Sequence, residues 1–308
     1  MEYRQLGEHG PIVSRIGFGC WAIGGHGYGN VDDRESERAI RRALDLGVTL
    51  FDTADVYGFG HSEEVLGRAL GSAKTRVIVA SKFGVRWDDA SQATWHDCSV
   101  AYLRKAVEAS LKRLDTDCIP LYQIHWYDGH SRIEDTMLEL VKLKEEGKIR
   151  YIGCSNLDDV HLAEAASSGS LVSYQALYNV IDTSRKTVFE QARSVHVGTM
   201  AYSVLARGLL SGKYAIGTAF GPNDTRSRDP DFVGPRALVN LATARQVVAM
   251  GKAMGKSAAA LAVRWVLESQ LVDVALVGAR TVAQVDAYAE AMGWVLGPAD
   301  WDAMSQLE

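Results

Sequence analysis

The sequence is poor in cysteine and contains no long apolar run. Its four cysteines are widely spaced and form no C-x-x-C pair, so we expect reduced, mostly buried thiols and no disulfide framework. They are Cys20, Cys98, Cys118 and Cys154. No histidine pair lies near cysteines or carboxylates at zinc-site spacing, so no metal is predicted. No uncharged apolar stretch reaches the length of a membrane span, so we expect no membrane partner.

An excess of positive charge is also missing. The chain has 33 lysines and arginines against 38 aspartates and glutamates, a net charge of −5. This balance argues against nucleic acid or an anionic membrane surface as the main partner. The first ten residues are polar and hold no apolar signal core, so we expect a cytoplasmic protein. A hydrophobic content of 47% is ordinary for a globular protein with a large core.

Strand-like and helix-like segments alternate along the whole chain. Eight short apolar segments are each followed by a helix-like stretch, which predicts an α/β fold, a (β/α)8 TIM barrel formed by a single domain over residues 1–308. The predicted strands are residues 16–19, 48–51, 77–80, 121–124, 151–154, 172–176, 197–202 and 272–277. Residues 3–6 and 12–15 predict a short N-terminal β-hairpin. A long glycine- and proline-bearing loop is predicted over residues 206–235.

Four chemically complementary side chains lie at or just after strand ends: Asp52, Tyr57, Lys82 and His125. Each alone could be a cap, a packing residue, a solvated charge or a core histidine. In a barrel, however, the carboxyl ends of all strands meet at one mouth. A phenol titrates near ~10 and needs a nearby cation to act at neutral pH, which Lys82 could supply while Asp52 holds it. His125 could orient a carbonyl. The set predicts protonation of a carbonyl oxygen during hydride transfer.

Other oxidoreductase and hydrolase classes fit less well. Residues 17–22 match G-x-G-x-x-A, but glycine-rich loop continues after them where a Rossmann fold needs a helix. No tyrosine has a lysine four residues later, as a short-chain dehydrogenase would. The G-x-S-x-G pattern of a serine hydrolase is absent.

Sequence blocks in order along the chain resemble the aldo-keto reductase superfamily, most closely its bacterial branch of general-stress and inositol-associated oxidoreductases. The blocks are residues 16–19, 51–58, 81–84, 123–126, 147–156, 175–179, 202–210 and 278–281. The resemblance therefore runs nearly from end to end. It implies an NADP(H)-dependent enzyme of class EC 1.1.1.-, which binds its cofactor without a Rossmann fold.

The resemblance also implies a role for each matched residue. Asp52, Tyr57, Lys82 and His125 match the catalytic tetrad, with Tyr57 as the acid in reduction and the base in oxidation. Ser155, Asn156 and Gln175 match carboxamide contacts, and Tyr202 matches the ring that stacks on the nicotinamide. The implied phosphate and adenosine contacts are Ser203, Leu205, Arg207, Gly208, Lys213, Gly278, Ala279, Arg280 and Gln284.

Two positions depart from the family pattern. Many members carry lysine where Gly278 stands and arginine where Gln284 stands, both aimed at the 2′-phosphate. Arg280 would carry most of that contact here, with help from Lys213 or Arg207. Because arginine binds phosphate in a bidentate manner, NADP(H) is preferred, and use of NAD(H) stays open.

The sequence thus predicts an oxidoreductase that interconverts aldehydes or ketones, including sugar-like carbonyls, with alcohols. Three tryptophans, Trp21, Trp87 and Trp126, are candidate walls of the substrate pocket, although core positions fit them equally well. The partner is a small molecule, and we expect a monomer or weak homo-oligomer. Two alternatives remain: a cofactor-binding regulatory or scaffold protein on the same fold, and a sugar dehydrogenase working mainly in the oxidative direction.

Overall fold

A computed structural model describes residues 1–29, 31–221 and 223–307, and a closed barrel of parallel strands forms its centre. The strands are β1 (Tyr3–Gln5), β2 (Ile12–Ser14), β3 (Ile16–Gly19), β4 (Leu50–Asp52), β5 (Ile78–Phe83), β6 (Val85–Trp87), β7 (Thr94–His96), β8 (Ile119–Ile124), β9 (Ile149–Ser155), β10 (Leu171–Leu177), β11 (Gly198–Tyr202) and β12 (Val274–Gly278). The helices are α1 (Asp33–Asp45), α2 (His61–Leu70), α3 (Val100–Leu114), α4 (Ile133–Glu145), α5 (Asp159–Ser167), α6 (Lys186–Ser194), α7 (Pro235–Ala253), α8 (Ala258–Glu268), α9 (Val282–Ala289) and α10 (Pro298–Ser305). No helix among these residues is long and apolar enough to cross a membrane.

The barrel confirms the predicted fold class. Its strand order is β3, β4, β5, β8, β9, β10, β11 and β12, and β12 closes it by pairing with β3. All eight strand pairs are parallel, as crossover helices require. The helices begin and end at ordinary signals: the Ser99 side chain accepts a hydrogen bond at the start of α3, for example, and Asp115 ends it in a left-handed conformation.

The inside of the barrel is a packed core that the N-terminal hairpin closes from below. Buried residues of six of the barrel strands form one cluster with Leu6 and Val13 of the hairpin. The strand members of that cluster are Leu50, Ala80, Leu121, Val172, Met200, Val274 and Leu276. β1 and β2 pair antiparallel, which confirms the predicted hairpin. Truncating one of the buried leucines to alanine would cost about 2–5 kcal/mol of stability. The residues at this end of the barrel therefore stabilise the fold.

A second hairpin, β6 with β7, follows β5 and was not predicted from the sequence. Its strands have three residues each and their outward residues are exposed, so they lack the apolar alternation of a half-buried strand. An ion pair joins Arg86 to Asp97 (3.2 Å), and the Arg86 guanidinium lies over the Trp95 ring (5.3 Å to its centre). Both contacts lie within the hairpin segment, and Val85, Thr94 and His96 of the hairpin line the cavity at the mouth of the barrel.

The predicted long loop over residues 206–235 contains two short 3-10 turns and reaches across the same mouth. The Thr225 amide donates to the Gly27 carbonyl (3.0 Å), and the Thr225 hydroxyl donates to the same oxygen (3.0 Å). Segments nearly 200 residues apart in sequence are thereby joined over the carboxyl ends of the strands.

Candidate active site

Three of the four strand-end residues form one contiguous group around Lys82. The Lys82 ammonium donates to Asp52 Oδ1 (2.6 Å) and to the Thr53 carbonyl (2.8 Å), and the lysine is 0% exposed. Its nitrogen lies 5.1 Å from the centre of the Tyr57 ring. β4 ends with Asp52 and β5 carries Lys82, and because these strands are neighbours in the barrel the two charges meet.

His125 completes the group from β8. Its ring meets the Tyr57 ring edge to face, with centres 5.6 Å apart and planes at 81°. The His125 amide donates to the Phe83 carbonyl (2.8 Å), which ties the end of β8 to that of β5. The structure therefore brings the four predicted residues together at the mouth of the barrel.

Asp52 is held by amide side chains as well as by Lys82. Its Oδ2 accepts from Gln175 Nε2 (2.8 Å) and from Gln123 Nε2 (3.3 Å), and the carboxylate is 4% exposed. A buried carboxylate needs such partners to remain charged. Gln175 thus lines the mouth, as its predicted cofactor role requires, while its amide is bonded to Asp52.

The phenol of Tyr57 does not have the lowered pKa that a bare cation beside it would produce. Burial raises the pKa of Tyr57 well above its ordinary value, and the Asp52 carboxylate raises it further. The physical reason is the pairing of Lys82 with Asp52, since the carboxylate offsets the field of the ammonium. Tyr57 therefore keeps its proton throughout the neutral range, as a proton donor must.

The imidazole of His125 is neutral at neutral pH. Burial lowers its pKa well below the ordinary value, and the Lys82 charge lowers it further. Its Nδ1 is buried and has no hydrogen-bond partner in the described part of the chain. A neutral imidazole carries one N–H donor, so His125 can donate to a carbonyl oxygen but cannot serve as a charged acid.

The backbone at Tyr57 packs tightly against the turn that follows β3. A Cβ atom added to Gly24 would lie 2.7 Å from the Tyr57 carbonyl carbon and 2.8 Å from the Gly58 nitrogen. Such distances require the backbone to move. A glycine at this position therefore allows the chain to hold Tyr57 where it is.

One cavity of about 540 Å³ extends from these residues across the mouth of the barrel. All thirteen predicted cofactor residues line it, from Ser155 to Gln284, together with Trp21 and Trp126. Lys82 is not in the lining because it is buried below Asp52 and Tyr57.

Trp87 does not line the cavity. Its indole nitrogen donates to Asp89 (2.9 Å), and its ring lies 5.9 Å from that of Phe59, which does line the cavity. By the alternation of side chains along β6, Trp87 shares a face with Val85, which lines the cavity, but Trp87 lies two residues farther along the hairpin and packs against Phe59, which lines the cavity in its place.

Three cations line the end of the cavity remote from Tyr57: Lys213, Arg226 and Arg280. Burial lowers the pKa of Lys213, and Arg226 and Arg280 lower it further. Among the described residues Lys213 has no carboxylate partner, and its ammonium lies over the Tyr214 ring (5.0 Å). An ammonium without a carboxylate partner beside two guanidinium groups is an environment that favours a bound anion such as phosphate.

The other predicted cofactor residues are held by local hydrogen bonds. Asn156, at a φ of 60°, donates to the His125 carbonyl (3.0 Å) and accepts from the Tyr202 hydroxyl (2.9 Å). The Arg280 amide donates to Gln284 Oε1 (2.8 Å), so the glutamine supports the turn that carries the arginine. The lining therefore combines amide groups near Tyr57, one aromatic ring and, at the far end, cations, which are the kinds of group that bind a dinucleotide.

Several lining residues were missed by sequence reasoning. They are Tyr28, Phe59, His96 and Arg226, among others. All come from loops or from the β6–β7 hairpin, where no periodic pattern indicates which side chain faces inward. Arg226 is only 6% exposed, is paired with Asp224 through its Nε (2.8 Å), and lies over the Phe220 ring (4.9 Å). The only feature of the sequence that could have pointed to a buried Arg226 is the carboxylate of Asp224, two residues earlier in the predicted loop.

The described residues contain no group of three or more histidines, cysteines, aspartates or glutamates that could hold a metal ion. The barrel and its mouth define the chain as a (β/α)8 protein with an oxidoreductase-type site.

Comparison with known proteins identifies the family. The model of the "Aldo/keto reductase family" matches residues 15–308, and the chain belongs to that family, whose members are oxidoreductases acting on carbonyls and alcohols. It is 39% identical to aldo-keto reductase YhdN of Bacillus subtilis over 97% of this chain and 91% of the relative. It is 32% identical to aldo-keto reductase yakc of Schizosaccharomyces pombe, over 86% and 78%, and that relative's name carries the label NADP(+).

Solved structures agree with this assignment. The chain resembles the glycerol dehydrogenase AKR11B4 from Gluconobacter oxydans with a TM-score of 0.90 and 37% identity, covering 99% of this chain and 94% of that one. It also resembles the aldo-keto reductase AKR11C1 from Bacillus halodurans, solved in a holo form, with a TM-score of 0.85, 28% identity, and coverage of 100% and 96%.

Proposed function

We propose that this protein is an NADP(H)-dependent oxidoreductase that interconverts aldehydes or ketones with alcohols, with Tyr57 as proton donor and the whole chain acting as one domain. The observation that carries the proposal is the Lys82–Asp52 pair (2.6 Å) below the Tyr57 ring, with His125 edge-on beside it. Tyr57, which keeps its proton, and His125, which is neutral and has an N–H, can both donate a hydrogen bond to the carbonyl oxygen of one substrate.

When bound, the nicotinamide cofactor supplies the hydride that reduces the carbonyl carbon. The N–H of His125 orients the carbonyl oxygen, and the hydroxyl of Tyr57 gives that oxygen its proton as negative charge develops on it. The transfer is favourable despite the raised pKa of Tyr57, because an alkoxide is a far stronger base than a phenolate. Lys82 stabilises the resulting phenolate, and Asp52 keeps the ammonium in place. In the oxidative direction the same steps reverse.

NADP(H) is the cofactor that the far end of the cavity supports best. Lys213 and Arg280 have no carboxylate partner among the described residues, so they supply positive charge for the cofactor phosphates where Gly278 and Gln284 supply none. We expect dual use of NAD(H) to be weak. Fluorescence titration of NADPH and NADH with the wild type and Arg280→Ala would measure this, and a variant that weakens both cofactors equally would argue against a 2′-phosphate contact.

The central test is NADPH oxidation with a panel of aldehydes and ketones, followed by NADP⁺ reduction with the matching alcohols. Tyr57→Phe keeps the ring beside Lys82 and removes only the hydroxyl, so we expect turnover to fall by about 10²–10⁴ with cofactor binding retained. Cofactor binding without turnover by the wild type on every carbonyl would instead support a regulatory or scaffold role. Turnover confined to alcohols would support a dehydrogenase, the activity named for the Gluconobacter relative.

A further inference from the structure

Three buried side chains inside the barrel form a closed ring of hydrogen bonds next to the cavity. Gln175 Nε2 donates to Asp52 Oδ2 (2.8 Å) and to Gln123 Oε1 (3.3 Å), and Gln123 Nε2 donates to the same Asp52 oxygen (3.3 Å). Gln123 is 0% exposed and does not line the cavity, whereas Asp52 and Gln175 do. Gln123 can therefore act on a bound ligand only through these two neighbours.

The direction of the hydrogen bonds in this ring is set by the chemistry of Asp52. Its carboxylate is paired with the Lys82 ammonium and only accepts hydrogen bonds, so a glutamine amide can approach it only with the NH2 group. Turning either glutamine around would bring a carbonyl oxygen against the carboxylate. Each glutamine therefore has one orientation, and the Gln123 oxygen receives the second hydrogen of the Gln175 amide.

The orientation of Gln175 decides which of its atoms is free to bind a ligand. Both hydrogens of its amide are used, one by Asp52 and one by Gln123. Its oxygen receives no hydrogen bond from the part of the chain that the structure describes, so Gln175 offers an acceptor to the cavity. A ligand group with an N–H, such as the carboxamide of a nicotinamide, is the matching partner.

We propose that Gln123 is a positioning residue, which holds Gln175 with its oxygen free for the cofactor and holds Asp52 opposite Lys82. This inference rests on the proposed function and adds to it a residue that touches neither cofactor nor substrate. The barrel leaves room for this side chain at Gly153, the register partner of Gln123 on β9. A Cβ atom at Gly153 would lie 2.8 Å from Gln123 Cγ, so a larger residue there would displace the glutamine.

The experiment measures the dissociation constant of NADP⁺ by quenching of tryptophan fluorescence, since Trp21 and Trp126 line the cavity. Gln123→Met keeps the length of the side chain and removes its amide, so Gln175 and Asp52 each lose one hydrogen bond. We expect NADP⁺ to bind about two- to ten-fold more weakly, and kcat for carbonyl reduction to fall by a similar factor.

The variant Gln123→Glu tests the hydrogen bonds through pH. The charges next to position 123 are the Asp52 carboxylate, to which it bonds, and Lys82, its register partner on β5. A buried glutamic acid beside a carboxylate holds its proton to an unusually high pH, and in that form it donates to Asp52 and accepts from Gln175 as the glutamine does. The variant should therefore bind NADP⁺ as wild type does at about pH 6, and lose affinity relative to wild type towards about pH 9, where its charge repels Asp52.

Ser173→Ala is the matched control, because the Ser173 hydroxyl is buried on β10 and has no hydrogen-bond partner among the described residues. It should leave both the dissociation constant and kcat unchanged. An unchanged dissociation constant in Gln123→Met overturns the inference. Should Gln123→Met fail to fold, Gln123→Glu decides, and weakened binding already at the lower pH overturns the inference.

The binding measurement also separates this inference from the proposed function. Wild type that binds NADP⁺ but reduces no carbonyl refutes the proposed reaction, and the effect of Gln123→Met on binding then still supports or overturns the role of Gln123. Wild type that binds no NADP⁺ refutes both.

Discussion

The substitution Lys82→Met tests the site most directly, because Lys82 forms a buried ion pair and is also proposed to stabilise the phenolate of Tyr57. Its ammonium is 0% exposed and bonds to a carboxylate that is 4% exposed. Removing one partner of a buried pair leaves the other charge uncompensated, which costs about 3–5 kcal/mol of folding free energy. At about 2 °C per kcal/mol for a chain of this length, the melting temperature should fall by roughly 6–10 °C.

Activity should fall for a separate reason. Without Lys82 the phenolate of Tyr57 has no cation to stabilise it, and we expect kcat for NADPH-dependent carbonyl reduction to fall by about 10²–10⁴. The double variant Lys82→Met with Asp52→Asn removes the uncompensated carboxylate. It should therefore recover much of the lost stability but none of the lost activity.

The assays are urea unfolding at fixed pH and steady-state NADPH oxidation at a temperature where all variants remain folded. Lys142→Met is the matched control, because Lys142 is 61% exposed and pairs with Glu139 on the outer face of α4. Loss of this surface pair should cost less than about 1 kcal/mol. The reasoning is refuted when folded Lys82→Met retains turnover within about ten-fold of wild type, or when the double variant regains activity together with stability.

Two further predictions concern the surroundings of Tyr57. Burial, and then Glu63, raises the pKa of Asp55 well above its ordinary value of 3.8, so the folded protein holds this proton more tightly and stability falls as the pH rises past that value. As the pH rises above 3.8, the wild type should lose up to about 1.4 kcal/mol of unfolding free energy per pH unit relative to Asp55→Asn, which lacks the titration, and urea unfolding measures this difference; a constant difference contradicts the raised pKa. Gly24→Ala should displace Tyr57 and lower kcat by ten-fold or more, whereas Gly221→Ala, whose added Cβ meets nothing within 4 Å, should not; equal kcat values would contradict the close packing.

Much of this site could be predicted without coordinates. Asp52, Lys82 and His125 each follow an apolar strand, and in a parallel barrel strand ends converge whatever the details of packing. The same argument places the cofactor residues after β9 to β12. The hydrophobic pattern of neighbouring residues locates these strands, and the residues that follow a strand lie at the mouth of the barrel.

The loops could not be predicted in this way. Trp87 was expected in the pocket wall and Phe59 was not, because the sequence does not show how far along the hairpin the cavity extends or how the loop after β4 folds over it. Arg226 and His96 reach the cavity only because long-range hydrogen bonds and stacked rings hold their segments, such as Thr225 on Gly27 and His96 on Trp126.

The sequence by itself therefore determined the barrel, the family and the four side chains that meet at the mouth, since these depend on short-range patterns repeated along the chain. Only the tertiary structure decided the electrostatic state of the site. The Asp52 carboxylate that neutralises Lys82, and the burial that keeps Tyr57 protonated and His125 neutral, arise from residues brought together across separate strands. Charge and desolvation depend on distance and burial, and neither quantity is contained in the order of residues along the chain.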